Sequence, residues 1–180
     1  MMISGEKVII RSLEATDLSK IVTWTLDEEV NRFLESDYPK NLSDCVAWLQ
    51  EVQSNRLAQH FAITTVDNQL IGDIELDHIS WRSGDAELRI RIGEKSLWDK
   101  GYGTDAVLTL IDYAFTRMSL KRIYLRVYAA NRRAVRCYEK AGFRKEGRLR
   151  RRSQAGDMEE VYLMRILRDE YLHSPQRQTA

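Results

Sequence analysis

Gly93-Glu94-Lys95-Ser96-Leu97-Trp98-Asp99-Lys100-Gly101-Tyr102-Gly103-Thr104-Asp105-Ala106 (GEKSLWDKGYGTDA) is the stretch on which the reading of this chain turns. It lies between segments of different periodicity. Ahead of it, residues 86–92 (AELRIRI) alternate: Leu88, Ile90 and Ile92 against Glu87, Arg89 and Arg91, the period of a half-buried strand. Behind it, residues 104–118 place Ala106, Val107, Leu110, Ile111, Ala114 and Phe115 on one helical face. A strand therefore runs through Gly101 and Gly103 into a helix. Glycines at such a junction permit unusual backbone angles and close approach of a ligand. The first backbone N–H groups of the helix lack internal partners and point outward with the positive end of its dipole. That arrangement suits a phosphate or pyrophosphate, with Lys100 adding a charge beside it. The segment is not a P-loop, because no Gly-Lys-Ser/Thr ends it, nor a dinucleotide fingerprint, because the third glycine is missing. Taken alone, a turn that simply starts a helix explains it equally well.

Working outward, residues 7–13 (KVIIRSL) read as a strand, Ala15-Thr16-Asp17 as a helix start, and residues 27–34 as a second helical piece. Pro39 interrupts the chain, and Ser43 is expected to cap a helix carrying Val46, Trp48, Leu49 and Val52. Strands are expected at 60–66, 70–79, 86–92, 122–128, 143–150 and 159–167, the last two joined by a turn at 154–157. Residues 132–140 read as a helix ended by Ala141-Gly142. The class is mixed α/β (α+β), a single domain over 1–173 followed by a polar tail, 174–180.

Composition excludes several classes. The 180 residues are 43% apolar and 31% charged, enough for one sizeable core. No apolar run nears the roughly 20 residues of a membrane span, and the N-terminus lacks a signal-peptide core. The formal net charge of +1 is not that of a nonspecific nucleic-acid binder. Cys45 and Cys137 give no disulfide framework, and His60, His78 and His173 have no metal spacing. A cytoplasmic protein with reduced thiols, no membrane, no nucleic acid and no metal is expected.

A second segment supplies what the first lacks. After Asn131 come Ala134, Tyr138, Glu139, Lys140, Ala141, Gly142 and Phe143. Together the two segments resemble the GCN5-related N-acetyltransferases, the GNAT superfamily. The first resembles that family's acetyl-CoA signature Q/R-x-x-G-x-G/A, the second its segment N-x-x-A-x-x-x-Y-E-K-x-G-F. The string Ile90-Arg91-Ile92-Gly93-Glu94-Lys95, Leu97-Trp98, and the closing Gly147-Arg148-Leu149 and Tyr162-Leu163-Met164 are similar to the ribosomal-protein and spermidine acetyltransferase branch. The resemblance covers about residues 7–167. One departure stands out: the Q/R position is Trp98, which removes a side-chain donor from the pyrophosphate site.

The resemblance implies a central, mixed, mostly antiparallel twisted sheet of about seven strands, flanked by helices, with two central strands splayed. It implies acetyl-CoA as co-substrate and no metal. The pantetheine arm would lie along Ile90, Arg91 and Ile92. The pyrophosphate would rest in the loop of Trp98, Lys100, Gly101, Tyr102, Gly103 and Thr104, and Asn131 would bond the pantetheine region. Arg136 is a candidate phosphate contact from its charge, or else a solvated helix arginine. Tyr138 would be the general acid, or else a core tyrosine of an amphipathic helix. A tyrosine of pKa about 10 is close enough to a thiol of about 8.5 for proton delivery. An alkylamine of pKa about 10.4 is protonated at pH 7, a penalty of about 4–5 kcal/mol, so a carboxylate should take its proton. Glu87 and then Glu75 are the candidates, against the plainer reading of strand carboxylates paired with Arg89 or Arg91. Cys137 is not expected to take part, because its side chain should point elsewhere on the helix.

The acceptor is expected to be a small-molecule amine such as a polyamine, or a protein N-terminus. The acidic residues Asp27, Glu28, Glu29, Glu35 and Asp37 tilt towards a polyamine. Residues 144–152 are strongly basic, a solvated strand face or a phosphate contact. A non-catalytic acyl-CoA-binding regulatory module of the same fold is the alternative. Relatives in the family are often homo-oligomers, and nothing in the spacing decides that here.

Overall fold

The computed structural model describes residues 2–34, 38–152 and 156–174. Strands β1 (Met2–Ser4), β2 (Val8–Ser12), β3 (Gln59–Thr65), β4 (Leu70–Ser80), β5 (Asp85–Ile92), β6 (Arg122–Tyr128), β7 (Arg144–Arg152) and β8 (Met158–Leu167) form one sheet. Its order is β1-β2-β3-β4-β5-β6-β8-β7. Every pairing is antiparallel except β5 with β6. The helices are α1 (Leu18–Thr25), α2 (Glu28–Asn31), α3 (Leu42–Ser54), α4 (Tyr102–Thr116), α5 (Arg132–Lys140) and α6 (Arg168–Leu172). The sheet has eight strands rather than about seven, because the N-terminal Met2–Ser4 turns back onto β2. Three residues are too few to show a periodicity.

The alternation read in residues 86–92 divides the two faces. On one face Ile74 and Leu76 of β4 join Leu88 of β5 and Val107, Leu110, Ile111 and Phe115 of α4 in the main core. On the other, α1 and α3 cover β2–β4 through a smaller cluster of Leu13, Leu18, Ile21, Trp24, Cys45, Leu49, Ala62 and Leu70. The intervening strand residues are charged, and their positions would lose hydration uncompensated. They pair instead. Buried Asp73 of β4 takes Arg91 of β5 at 2.6 and 2.9 Å and His60 at 3.2 Å, and Tyr38 donates to it.

Two local expectations differ in detail. Asn41, not Ser43, caps α3, its side chain accepting from the Asp44 N–H, while Ser43 Oγ donates to Asn41. The helix after the glycines begins at Tyr102, two residues earlier than its apolar stripe suggests, because Gly101 itself is the cap. The turn at 154–157 falls partly, and the 174–180 tail almost wholly, outside the described residues.

Candidate active site

The parallel pairing of β5 and β6 covers only Asp85–Glu87 against Arg122–Tyr124. From Leu88 onward β5 keeps β4 but has no ladder to β6, while β6 remains paired with β8 along its full length. The strands splay there, and a cavity of about 540 Å³ opens between them. α4 and the loop before it, α5 and the segment from Glu29 to Leu34 all contribute to its lining.

The loop explains why α4 starts where it does. Gly101 has φ +88°, a left-handed conformation that a side chain rarely adopts, and Asp99 precedes it at φ +59°. No side chain caps α4, so the N–H groups of Tyr102, Gly103 and Thr104 lack helical partners and the first intrahelical bond is Asp105 N to Gly101 O. Gly103 has ordinary helical angles. A Cβ there would make only ordinary contact, 3.6 Å from Ile92 and 3.7 Å from Cys137, both of which line the cavity. Asp105 points the other way. Its carboxylate accepts the backbone N–H groups of Glu6, Lys7 and Val8 at 3.2, 2.8 and 3.0 Å, fixing the helix start against the β1–β2 turn. The uncapped amides and the positive end of a fifteen-residue helix fit a pyrophosphate.

Of the residues expected around a cofactor, Ile90, Arg91, Ile92, Trp98, Gly101, Tyr102, Gly103, Thr104, Asn131, Arg136 and Tyr138 line this one cavity. Lys100 is not among the lining residues; its carbonyl accepts from Lys7 Nζ at 3.0 Å. Trp98 is a strut, its Nε1 donating to Ile92 O at 2.7 Å. The Arg91 guanidinium is spent on Asp73, so its role at the strand end falls to its backbone. Asn131 caps α5 through the Ala134 N–H at 3.2 Å. Arg136 lies 3.9 Å from Asp99 and is largely exposed.

Tyr138 sits on α5 against Phe143, ring centroids 5.8 Å apart, and is 6% exposed. Burial, and then the neighbouring Cys137, raise its pKa well above the usual tyrosine value. Its hydroxyl has no protein partner among the described residues and is not sealed from the cavity. A buried hydroxyl normally has a partner, so this one is available to a ligand.

The two expected carboxylates part company. Glu87 lines the cavity where β5 and β6 begin to diverge, with Arg126 at 2.8 and 3.1 Å on its two oxygens and Arg89 at 3.4 Å. Glu75 lies behind it, off the cavity, between Arg89 at 3.3 Å and His60 at 3.3 Å, its pKa raised by burial. Cys137, expected to point away, lines the cavity, with Sγ 3.5 Å from Thr104 Oγ1. Burial pushes its thiol up, which keeps it protonated and unreactive. In the acidic stretch, Asp27 caps α2 and pairs with Lys95, and Glu29 pairs with Lys95 while lining the cavity. Glu35 and Asp37 lie outside the described residues. In the basic stretch, Arg144, Lys145 and Arg148 pair with Glu170, Glu139 and Glu160, and Arg151 lines the cavity.

Two arginines escaped the sequence reading. Arg126 was legible as an outward position of the alternating RIYLRVY strand, but its pairing to Glu87 depends on which strands are neighbours. Arg133 stacks on Trp98, its Cζ 3.5 Å from the ring centroid, across a loop-to-helix contact that spacing does not reveal.

A splayed parallel strand pair, an uncapped helix start beside it and a buried tyrosine open to the cleft define an acyltransferase that takes its acyl group from coenzyme A. The chain belongs to the acetyltransferase (GNAT) domain family, whose model matches residues 7–144. It is an acetyl-CoA-dependent N-acetyltransferase. It is 29% identical to the spermidine N(1)-acetyltransferase of Vibrio cholerae, over 94% of this chain and 98% of that protein. It is 31% identical to the enzyme of that name from Escherichia coli, over 82% and 78%. An uncharacterised N-acetyltransferase, p20, of Bacillus licheniformis is 28% identical over 92% and 96%. The crystal structure of the Vibrio cholerae spermidine N-acetyltransferase with CoA and spermine superposes with a TM-score of 0.84 at 28% identity, covering 92% of this chain and 98% of that one.

Proposed function

We propose that this enzyme acetylates a primary amine of a polyamine such as spermidine, with Glu87 facing the amine and Tyr138 as proton donor. The observation that supports the reading is one cavity whose lining includes Tyr138, the end of β5, the start of α4, Glu29 and Glu87. Similarity to spermidine acetyltransferases over nearly the whole chain supports the acceptor class.

Acetyl-CoA supplies an activated thioester. The amides of Gly101–Thr104 hold its pyrophosphate, and the unpaired edge of β5 from Leu88 to Ile92 is left for the pantetheine arm, as in adding a strand. The incoming amine must be neutral. Glu87 Oε2 meets Arg126, Arg89 and His78, so the amine proton goes, directly or through water, to Oε1, which among the described residues has Arg126 alone against it. Arg126 and Arg89 hold it in place. Glu75, off the cavity, keeps Arg89 in position rather than meeting substrate. Tyr138, protonated throughout the working pH range, gives its proton to the departing sulfur. The same burial that weakens the tyrosine as an acid disfavours the bare thiolate and keeps the transfer feasible. A second ammonium of the acceptor meets Glu29, alongside its partner Lys95.

The test is an acceptor panel at saturating acetyl-CoA, following thiol release and product mass. Spermidine or spermine should outrun an alkyl monoamine, which carries a single charge, and an N-terminal peptide by at least tenfold in kcat/KM. A peptide that outruns both polyamines would overturn the acceptor assignment.

A further inference from the structure

We infer that Arg133, mounted on the indole of Trp98, is the side chain that grips the cofactor's pyrophosphate and restores the donor that the loop itself lacks. The inference rests on the acetyl-CoA reading of the cavity. Trp98 stands three residues before Gly101, its ring edge tied by Nε1 to Ile92 O at 2.7 Å. The ring is therefore a fixed platform between the end of β5 and the start of α4. The Arg133 guanidinium carbon lies over it, 3.5 Å from the centroid, from the first turn of α5. A guanidinium stacked by its face keeps its N–H edge free, and that edge matches a phosphate bidentately.

The other cavity arginines are differently placed. Arg89, Arg91 and Arg126 are bound to carboxylates, and Arg136 stands near Asp99. Arg151 lies on β7, and Arg32, at the end of α2, lies over Phe33 at the looser distance of 5.2 Å. Arg133 has no acidic partner among the described residues. Arg132 beside it also lacks one, but no aromatic ring among the described residues holds it in place. Arg133 thus combines an unspent charge, a locked position and a place in the same cavity lining as the uncapped amides of α4.

The experiment measures Kd by calorimetry for acetyl-CoA, for its dephospho form lacking the 3′-phosphate, and for S-acetylpantetheine, which lacks the pyrophosphate. Arg133→Ala should weaken acetyl-CoA and the dephospho form alike, by roughly ten- to a hundredfold, and leave S-acetylpantetheine within twofold. Arg133→Lys should recover only a small part of the loss, since an ammonium cannot stack and fork at once. Trp98→Ala should cost nearly as much as Arg133→Ala, and the double variant little more than either. Trp98→Phe keeps the platform without the Nε1 bond and should fall between, which keeps the test sound if the alanine variant misfolds. An equal loss for S-acetylpantetheine, a loss that disappears with the dephospho form, or strictly additive losses in the double variant would each overturn the assignment. Failure of the unaltered protein to bind acetyl-CoA would sink the cofactor reading itself, a different result from tight binding that Arg133→Ala leaves untouched.

Discussion

Replacing Tyr138 by phenylalanine separates its two potential roles. The ring packs against Phe143 and is nearly buried, so phenylalanine retains the packing. The hydroxyl has no protein partner among the described residues, so no donor or acceptor of the protein is orphaned. The stability change should therefore stay within about 1 kcal/mol. A positioned general acid contributes roughly 10²- to 10⁴-fold, or about 3–5 kcal/mol of barrier. Tyr138→Phe should lower kcat and kcat/KM together by at least a hundredfold while leaving the Kd of acetyl-CoA unchanged. The assay is thiol release from acetyl-CoA with saturating amine, from pH 7 to 10. Because burial raises the tyrosine well above its usual value, the unaltered enzyme should show no basic limb below about pH 10 from this group. A variant that keeps kcat within threefold would refute the acid role, and a basic limb near pH 8–9 that vanishes in the variant would refute the raised tyrosine pKa.

Two further changes probe the frame. Gly93→Ala puts a Cβ 2.0–2.4 Å from the buried Trp24 ring just past the end of β5. It should cost about 1–3 kcal/mol in denaturant unfolding and shift the strand end enough to weaken acetyl-CoA. Asp73, which burial alone would push up, is held at about 2 by the Arg91 charge and by hydrogen bonds from His60 and Tyr38. Its folded pKa lies below the unfolded value, so its contribution is complete above about pH 5 and fades as pH falls through the folded pKa, about 2 kcal/mol in all. Asp73→Asn should remove that acid dependence. It should also destabilise the protein by about 3–5 kcal/mol at pH 7, measured by urea unfolding, because Arg91 is left buried without its charge partner.

How much was legible follows from which signals are local. The glycine loop, the alternation of AELRIRI and the Asn131–Phe143 segment each report on a stretch of neighbours in sequence; they gave the strands and helices, with α4 two residues short at its start, while the splay came only from the family resemblance. What they left out depends on strand order and on contacts between elements far apart in the chain. Glu87 and Glu75 look alike as strand carboxylates, yet one lines the cavity and the other is shut behind Arg89 and His60. Lys100 sits inside the loop motif yet offers the cavity no side chain, because the left-handed turn at Asp99 and Gly101 re-aims the chain there. Trp98 looked like a lost donor and is a platform for an arginine from another helix. Cys137 was misjudged because α5 presents a wider arc to the cavity than one helical face.

The central claim is that one cavity binds acetyl-CoA and passes its acetyl group to an amine. The most direct measurement is a radiolabel transfer assay with purified protein, labelled acetyl-CoA and spermidine, the product resolved from acetate. The account predicts N-acetylspermidine and free CoA in equal amounts, formed only when the amine is present. Hydrolysis to acetate alone, or tight binding of acetyl-CoA with no transfer to any amine, would contradict it.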